Sequence, residues 1–200
     1  MTARVPSLSH GEPYGTIPLW CKGGTRLQDN IIVKPSVEKQ FDRFLRQGRV
    51  LFFSAPCGFG KTAVAEALLS SREVLRLPAD SAGFKLPSAE ADWQILLLDD
   101  LQDMQEEQDW NALCELIRAC PERRFVLLSR GTPPGSLMAF QYTGLMTVLE
   151  ADDLLFDADD VRRLLRLYGV EAADSEIDGI LKESVGYPLG VAITARCMSP

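Results

Sequence analysis

Apolar residues in the middle of this chain come as short runs, three of them unbroken and two interrupted by one polar residue, Arg76 or Thr147, separated by longer stretches in which they recur every three or four positions. Val50-Leu51-Phe52-Phe53, Val74-Leu75-Arg76-Leu77, Ile95-Leu96-Leu97-Leu98, Phe125-Val126-Leu127-Leu128 and the segment from Leu145 to Leu149 have strand length. Unbroken rather than alternating apolarity belongs to strands covered on both faces, as in a parallel sheet between helices. The stretches between them have helical spacing. Val37, Phe41, Phe44 and Leu45 share one face of a helix starting near Ser36 and closed by Gly48. Ala63 to Leu69 is a second helix, and Trp110, Leu113, Cys114 and Ile117 share a face within a third, near Met104 to Ala119. Ala79 to Asp92 leaves room for one short helix at most. The alternation predicts an α/β fold with its ligand at the carboxyl ends of the strands.

The pattern changes near residue 150 to helices alone. Val161, Leu164, Leu165 and Tyr168 form one apolar face, opened by Asp157 and closed by Gly169. Ile177, Ile180, Leu181 and Val185 form the next, closed by Gly186, and Pro188 starts the last helix. Before Asn30 the chain carries Pro6, Gly11, Pro13, Gly15, Pro18, Gly23 and Gly24 without periodicity. The expected organisation is a loose leader over 1–30, a sheet-bearing core over 31–150 and a small helical lid over 151–200.

Three of the strand ends carry chemistry. The first run leads through Ala55-Pro56-Cys57-Gly58-Phe59-Gly60-Lys61-Thr62 into a helix. Strand, glycine-containing turn, Lys-Thr, helix is the layout of a phosphate-binding loop, in which backbone N–H groups and a helix N-terminus face an anion. On that reading residues Cys57 to Ala63 cradle the phosphates, Lys61 reaches the β- and γ-phosphates, and the Thr62 hydroxyl ligates Mg²⁺. The general consensus has Gly where this chain has Ala55. The third run ends in Asp99-Asp100, which places a metal-side carboxylate, Asp99, beside a second that is either a general base for water or a solvated loop carboxylate. The fourth ends in Ser129-Arg130, where the guanidinium is either a reporter of the γ-phosphate or a surface cation. Together they predict a P-loop NTPase: a parallel sheet flanked by helices, followed by the lid, holding ATP and Mg²⁺.

These residues resemble the MalT-like, large ATP-binding LuxR-type transcription regulators, of the STAND class of signalling ATPases. Ala55 to Thr62 is similar to that family's Ala-Pro-Ala-Gly-Tyr-Gly-Lys-Thr loop, in which alanine at the first position is ordinary. Leu98-Asp99-Asp100-Leu101-Gln102 is similar to its Walker B region, and Leu128-Ser129-Arg130-Gly131-Thr132-Pro133-Pro134 to its strand-Ser-Arg-x-x-Pro-Pro segment. Glu150 to Phe156 resembles the family's next segment, and Gly186-Tyr187-Pro188-Leu189-Gly190 its Gly-x-Pro signature. The resemblance implies that Pro188 lies near adenine, that residues 31–35 cover the adenine edge, and that ATP drives self-association. Family members also carry a longer helical stretch before the Walker B strand, and continue into a winged helix, a helical-repeat sensor and a DNA-binding helix-turn-helix. This sequence ends at Pro200, so the resemblance implies a fragment or a truncated member.

Charge and cysteine usage narrow the alternatives. A net charge of −7 argues against DNA being gripped by these residues themselves, so DNA would be reached only through a helix-turn-helix that they do not include. Five cysteines without metal or redox-pair spacing suit reduced thiols in a cytoplasmic protein, although Cys57 inside the loop is also placed to act as a redox brake. No stretch is long and apolar enough to span a bilayer, and no signal-peptide core is present. Arg162, Arg163 and Arg166 are either solvated or one of them contacts phosphate. A P-loop kinase and a nucleotide-binding module without hydrolysis remain the competing readings.

Overall fold

The computed structural model describes residues 31–79 and 84–200; the leader expected over 1–30 lies outside the described residues. The elements run α1 (Pro35–Gln47), β1 (Val50–Ser54), α2 (Lys61–Leu69), β2 (Val74–Pro78), β3 (Ile95–Asp99), α3 (Glu107–Ala119), β4 (Arg124–Ser129), α4 (Met138–Tyr142) and β5 (Met146–Glu150). Then come helices only: α5 (Ala151–Leu154), α6 (Ala158–Leu167), α7 (Asp174–Ser184) and α8 (Pro188–Met198). The five strands form one sheet in the order β2-β3-β4-β1-β5. All four pairings are parallel.

Because successive side chains of a strand point to opposite faces, each unbroken apolar run supplies two cores. Val50, Phe52, Leu96, Leu98, Phe125 and Leu127 pack on one face beneath Leu113, Cys114 and Ile117 of α3 and Phe140 of α4. Leu51, Phe53, Leu97, Val126 and Leu128 pack on the other beneath α1 and α2, through Val37, Phe41, Phe44, Val64 and Leu69. The α6–α8 helices bury a separate core of Val161, Leu164, Leu165, Ile177, Ile180, Val191 and Ala195. Ile32 joins that core, whereas Leu154 packs with the sheet. The segment before α1 and the helix after β5 therefore lace the sheet and the C-terminal helices together.

Several boundaries differ from the sequence expectation. The helix expected near Met104 starts at Glu107, because the chain first makes a 3-10 turn over Leu101–Asp103. That turn follows Asp100, whose φ of 56° is left-handed. The Trp110 Nε1–H then donates to the Met104 carbonyl at 2.9 Å. Residues 84–94 contain no helix. The short α4 and α5 escape the periodicity, since a single turn shows too few apolar repeats to register.

The C-terminal helices are anchored by one buried carboxylate. Asp157 and Asp160 form a reciprocal cap at the start of α6. The Asp160 side chain, 4% exposed, lies 3.8 Å from Lys34 Nζ and 3.5 Å from Arg163. Burial holds its carboxyl above the usual range, opposed mainly by the Asp157 backbone N–H. A carboxyl whose folded pKa is raised stabilises most below its unfolded pKa of roughly 3.9, and that contribution is lost as pH rises through the folded value. Asp160→Asn, which keeps the cap acceptor, is therefore expected to flatten this fall above about pH 4. Asp160→Ala is expected to cost about 1–2 kcal/mol of stability through the cap, and urea melts across pH measure both.

Candidate functional site

The loop between β1 and α2 turns on two glycines in the left-handed region, Gly58 (φ 82°) and Gly60 (φ 78°). Gly60 sits immediately before α2 and offers no side-chain cap, so the N–H groups of the helix's first turn, Ala63 included, have no partner within the helix. Lys61 folds back on its own loop and donates to the carbonyls of Ala55 at 2.7 Å and Pro56 at 3.1 Å. Burial pushes its ammonium below the ordinary lysine value, with Asp99 the main opposing influence. The Thr62 hydroxyl donates to Asp99 Oδ2 at 2.8 Å. A hydroxyl and a carboxylate from different elements thus converge beside the loop, the donor set a hard divalent cation takes together with phosphate and water oxygens.

The second carboxylate and the arginine meet too. Asp100 Oδ1 accepts from Gln102 Nε2 at 2.8 Å and lies 3.4 Å from an Arg130 guanidinium nitrogen. Among the described residues Oδ2 takes no donor. Gln102 Oε1 accepts from the Arg130 backbone N–H at 3.1 Å. The β1 and β4 tips are tied through Gly131, whose carbonyl accepts from Ser54 Oγ and whose N–H donates to Ser129 Oγ, both at 3.1 Å. Lys61, Thr62, Asp99, Asp100 and Arg130, contributed by three separate parts of the chain, thereby converge on one edge of the sheet.

The C-terminal helices also touch the loop. Tyr187 donates its phenol O–H to the Cys57 carbonyl at 3.0 Å, and its ring lies 5.3 Å from that of Phe59. The Leu189 N–H, in the first turn of α8, donates to the Gly58 carbonyl at 3.2 Å. Pro188 is buried between these two contacts. Lid arginines are mostly accounted for otherwise: Arg162 pairs with Asp159 and Asp174, and Arg163 with Asp160. Two clefts of about 230 and 460 Å³, between α6 and α7 and beside Trp110, contain no residue of the loop. That neither cleft lies at the loop does not count against it as a candidate, because phosphates are held by backbone N–H groups rather than by an enclosing cavity.

Sequence reasoning assigns no role to Gln102 or Tyr187, although both stand inside the motifs. The signal for Gln102 is its place two residues after the paired carboxylates; for Tyr187 there is none, since its partner lies 130 residues away.

No family model and no curated protein matches the chain. Solved structures do. AMPPCP-bound DnaA from Aquifex aeolicus is 16% identical, with a TM-score of 0.59 over 85% of this chain and 63% of that one. A RuvB mutant of Thermotoga maritima is 17% identical, with a TM-score of 0.56 over 84% of this chain and 63% of that one. A Pyrococcus horikoshii STAND protein with a tetratricopeptide-repeat sensor is 11% identical, with a TM-score of 0.55 over 80% of this chain and 29% of that one. The chain spans less than two thirds of the length of each of these three. It has the P-loop NTPase fold, with a five-stranded parallel sheet flanked by helices and a helical C-terminal region. No helix among the described residues is long and apolar enough to cross a membrane.

Proposed function

We propose that this chain is an ATP-binding, slowly hydrolysing switch domain of the STAND type, from a MalT-like LuxR-type regulator. One observation carries the reading. The Thr62 hydroxyl meets Asp99 at 2.8 Å beside the loop lysine, so the parts needed for a metal-bound triphosphate stand together. Cys57 to Ala63 would hold the phosphates, Thr62 and Asp99 would hold Mg²⁺, and Pro188 with the segment around Ile32 would border adenine. The metal would neutralise phosphate charge. Asp100 offers Oδ2 to water as a general base, and Arg130 reads the third phosphate. Contacts that ATP makes and ADP lacks can shift an equilibrium between lid positions, and with it self-association. Turnover is slow because a switch needs a long-lived state. Any action on DNA would run through a helix-turn-helix beyond these residues.

A module that binds without hydrolysing is the second reading. It draws support from Asp100 Oδ1, which is already shared between Gln102 and Arg130. Asp100→Asn separates the two. It is expected to leave ATP affinity within a few-fold and to slow phosphate release by about 100-fold, since an amide cannot take the proton of water. Equal phosphate release by mutant and wild type would remove Asp100 from the role of base.

A further inference from the structure

We infer that Gln102 is a positioning residue that fixes Asp100, the base for water, and Arg130, the reader of the third phosphate, relative to each other; this rests on the nucleotide-switch reading above. The need for such a residue follows from the sheet. β4 pairs with β1 out to Ser54↔Ser129, but its pairing with β3 stops at Leu98↔Leu127. Beyond that rung the next β3 N–H that would face β4, that of Asp100, is taken instead by the Asp99 side-chain Oδ1 at 2.8 Å. The tips of β3 and β4, which carry the paired carboxylates and the arginine, have therefore lost their backbone ladder where their relative placement matters most.

The Gln102 amide spans this gap with both of its ends. Its Nε2 donates to Asp100 Oδ1 at 2.8 Å and its Oε1 accepts from the Arg130 N–H at 3.1 Å. Nε2 also reaches Asp103 Oδ2 at 3.3 Å. The backbone that carries it is fixed. Leu101 is fully buried in the sheet core, and the Asp103 and Met104 N–H groups close the turn on Asp100 and Leu101. Glutamine is the residue this bridge requires: glutamate lacks the donor, and asparagine is one methylene shorter. Satisfaction of buried groups does not account for the bond, because Arg130 is exposed and water would serve its N–H equally well. What the bridge supplies is alignment, removing freedom from two groups that must hold one relative placement.

The test uses Gln102→Ala and Gln102→Glu beside Arg130→Ala and the wild type. Hydrogen exchange at the Arg130 amide without nucleotide reads the bridge, and titration with ATP and ADP reads its consequence. Gln102→Ala is expected to speed that exchange by about tenfold, and to lower the preference for ATP over ADP toward that of Arg130→Ala. ADP affinity should stay within about twofold, since the diphosphate faces the loop. Gln102→Glu keeps the acceptor, so exchange should stay slow while the ATP preference still falls, because a carboxylate now faces Asp100. Unchanged exchange in Gln102→Ala would overturn the bridge. Faster exchange with an unchanged ATP preference would reduce Gln102 to a structural part and overturn the positioning role. A wild type that binds no ATP would sink the switch reading, and this proposal with it.

Discussion

Lys61→Ala is expected to remove measurable ATP binding while the domain stays folded. Lys61 Nζ now rests on the carbonyls of Ala55 and Pro56, at 2.7 and 3.1 Å, which are weak neutral acceptors for a cation. Phosphate oxygens offer charge-assisted bonds instead, each worth about 1.5–3 kcal/mol. Losing one to each of the two phosphates, about 3–6 kcal/mol together, should weaken ATP by roughly 10²- to 10⁴-fold, and ADP, which shares only the β-phosphate, by about 10- to 150-fold. Stability should move by no more than about 1 kcal/mol. Two loop bonds are lost, but the burial that holds the Lys61 ammonium below its ordinary pKa is relieved with them. Calorimetry with both nucleotides and a urea melt on the same protein provide the check. Wild-type affinity in a folded mutant would remove Lys61, and with it the loop, from phosphate binding.

The sequence is legible where chemistry and chain order coincide. Each unbroken apolar run forms a strand, and the residues just past three of them, Lys61 with Thr62, Asp99 with Asp100, and Arg130, come to one edge. That follows from parallel pairing, which brings all carboxyl ends to the same side of the sheet. Strand order is not legible. Nothing local to Phe125–Leu128 says that this run lies between the other two, yet that insertion sets Arg130 opposite Asp100. The cross-chain bonds are hidden for a similar reason. A glutamine that bridges two strand tips and a tyrosine that reaches across 130 residues leave no periodicity behind. Arg163 shows the converse, since spacing puts it on a polar face while its partner is the buried Asp160.

Gly58 stands in the motif as a residue that lets backbone approach phosphate, but the structure gives it a second constraint. A Cβ on Gly58 would lie 1.8 Å from the Tyr187 phenol oxygen and 2.7 Å from its ring carbon. A Cβ on Gly60 would meet nothing within 4 Å. Both positions have positive φ, so alanine at either should cost about 1–2 kcal/mol in backbone strain. At Gly58 the collision adds about 1–3 kcal/mol, which is relieved only if the lid moves off the loop. Gly58→Ala is therefore expected to destabilise more than Gly60→Ala and to expose Tyr187. Tyr187→Ala alone loses the bond to the Cys57 carbonyl and the ring contact with Phe59. In the Gly58→Ala background it should cost almost nothing further, because that contact is already broken. The double-mutant cycle should then give a coupling of about 1–3 kcal/mol in urea melts. Equal losses for Gly58→Ala and Gly60→Ala, with no coupling to Tyr187, would mean that the lid does not rest on the loop in solution. Nucleotide entry would then need no displacement of α8.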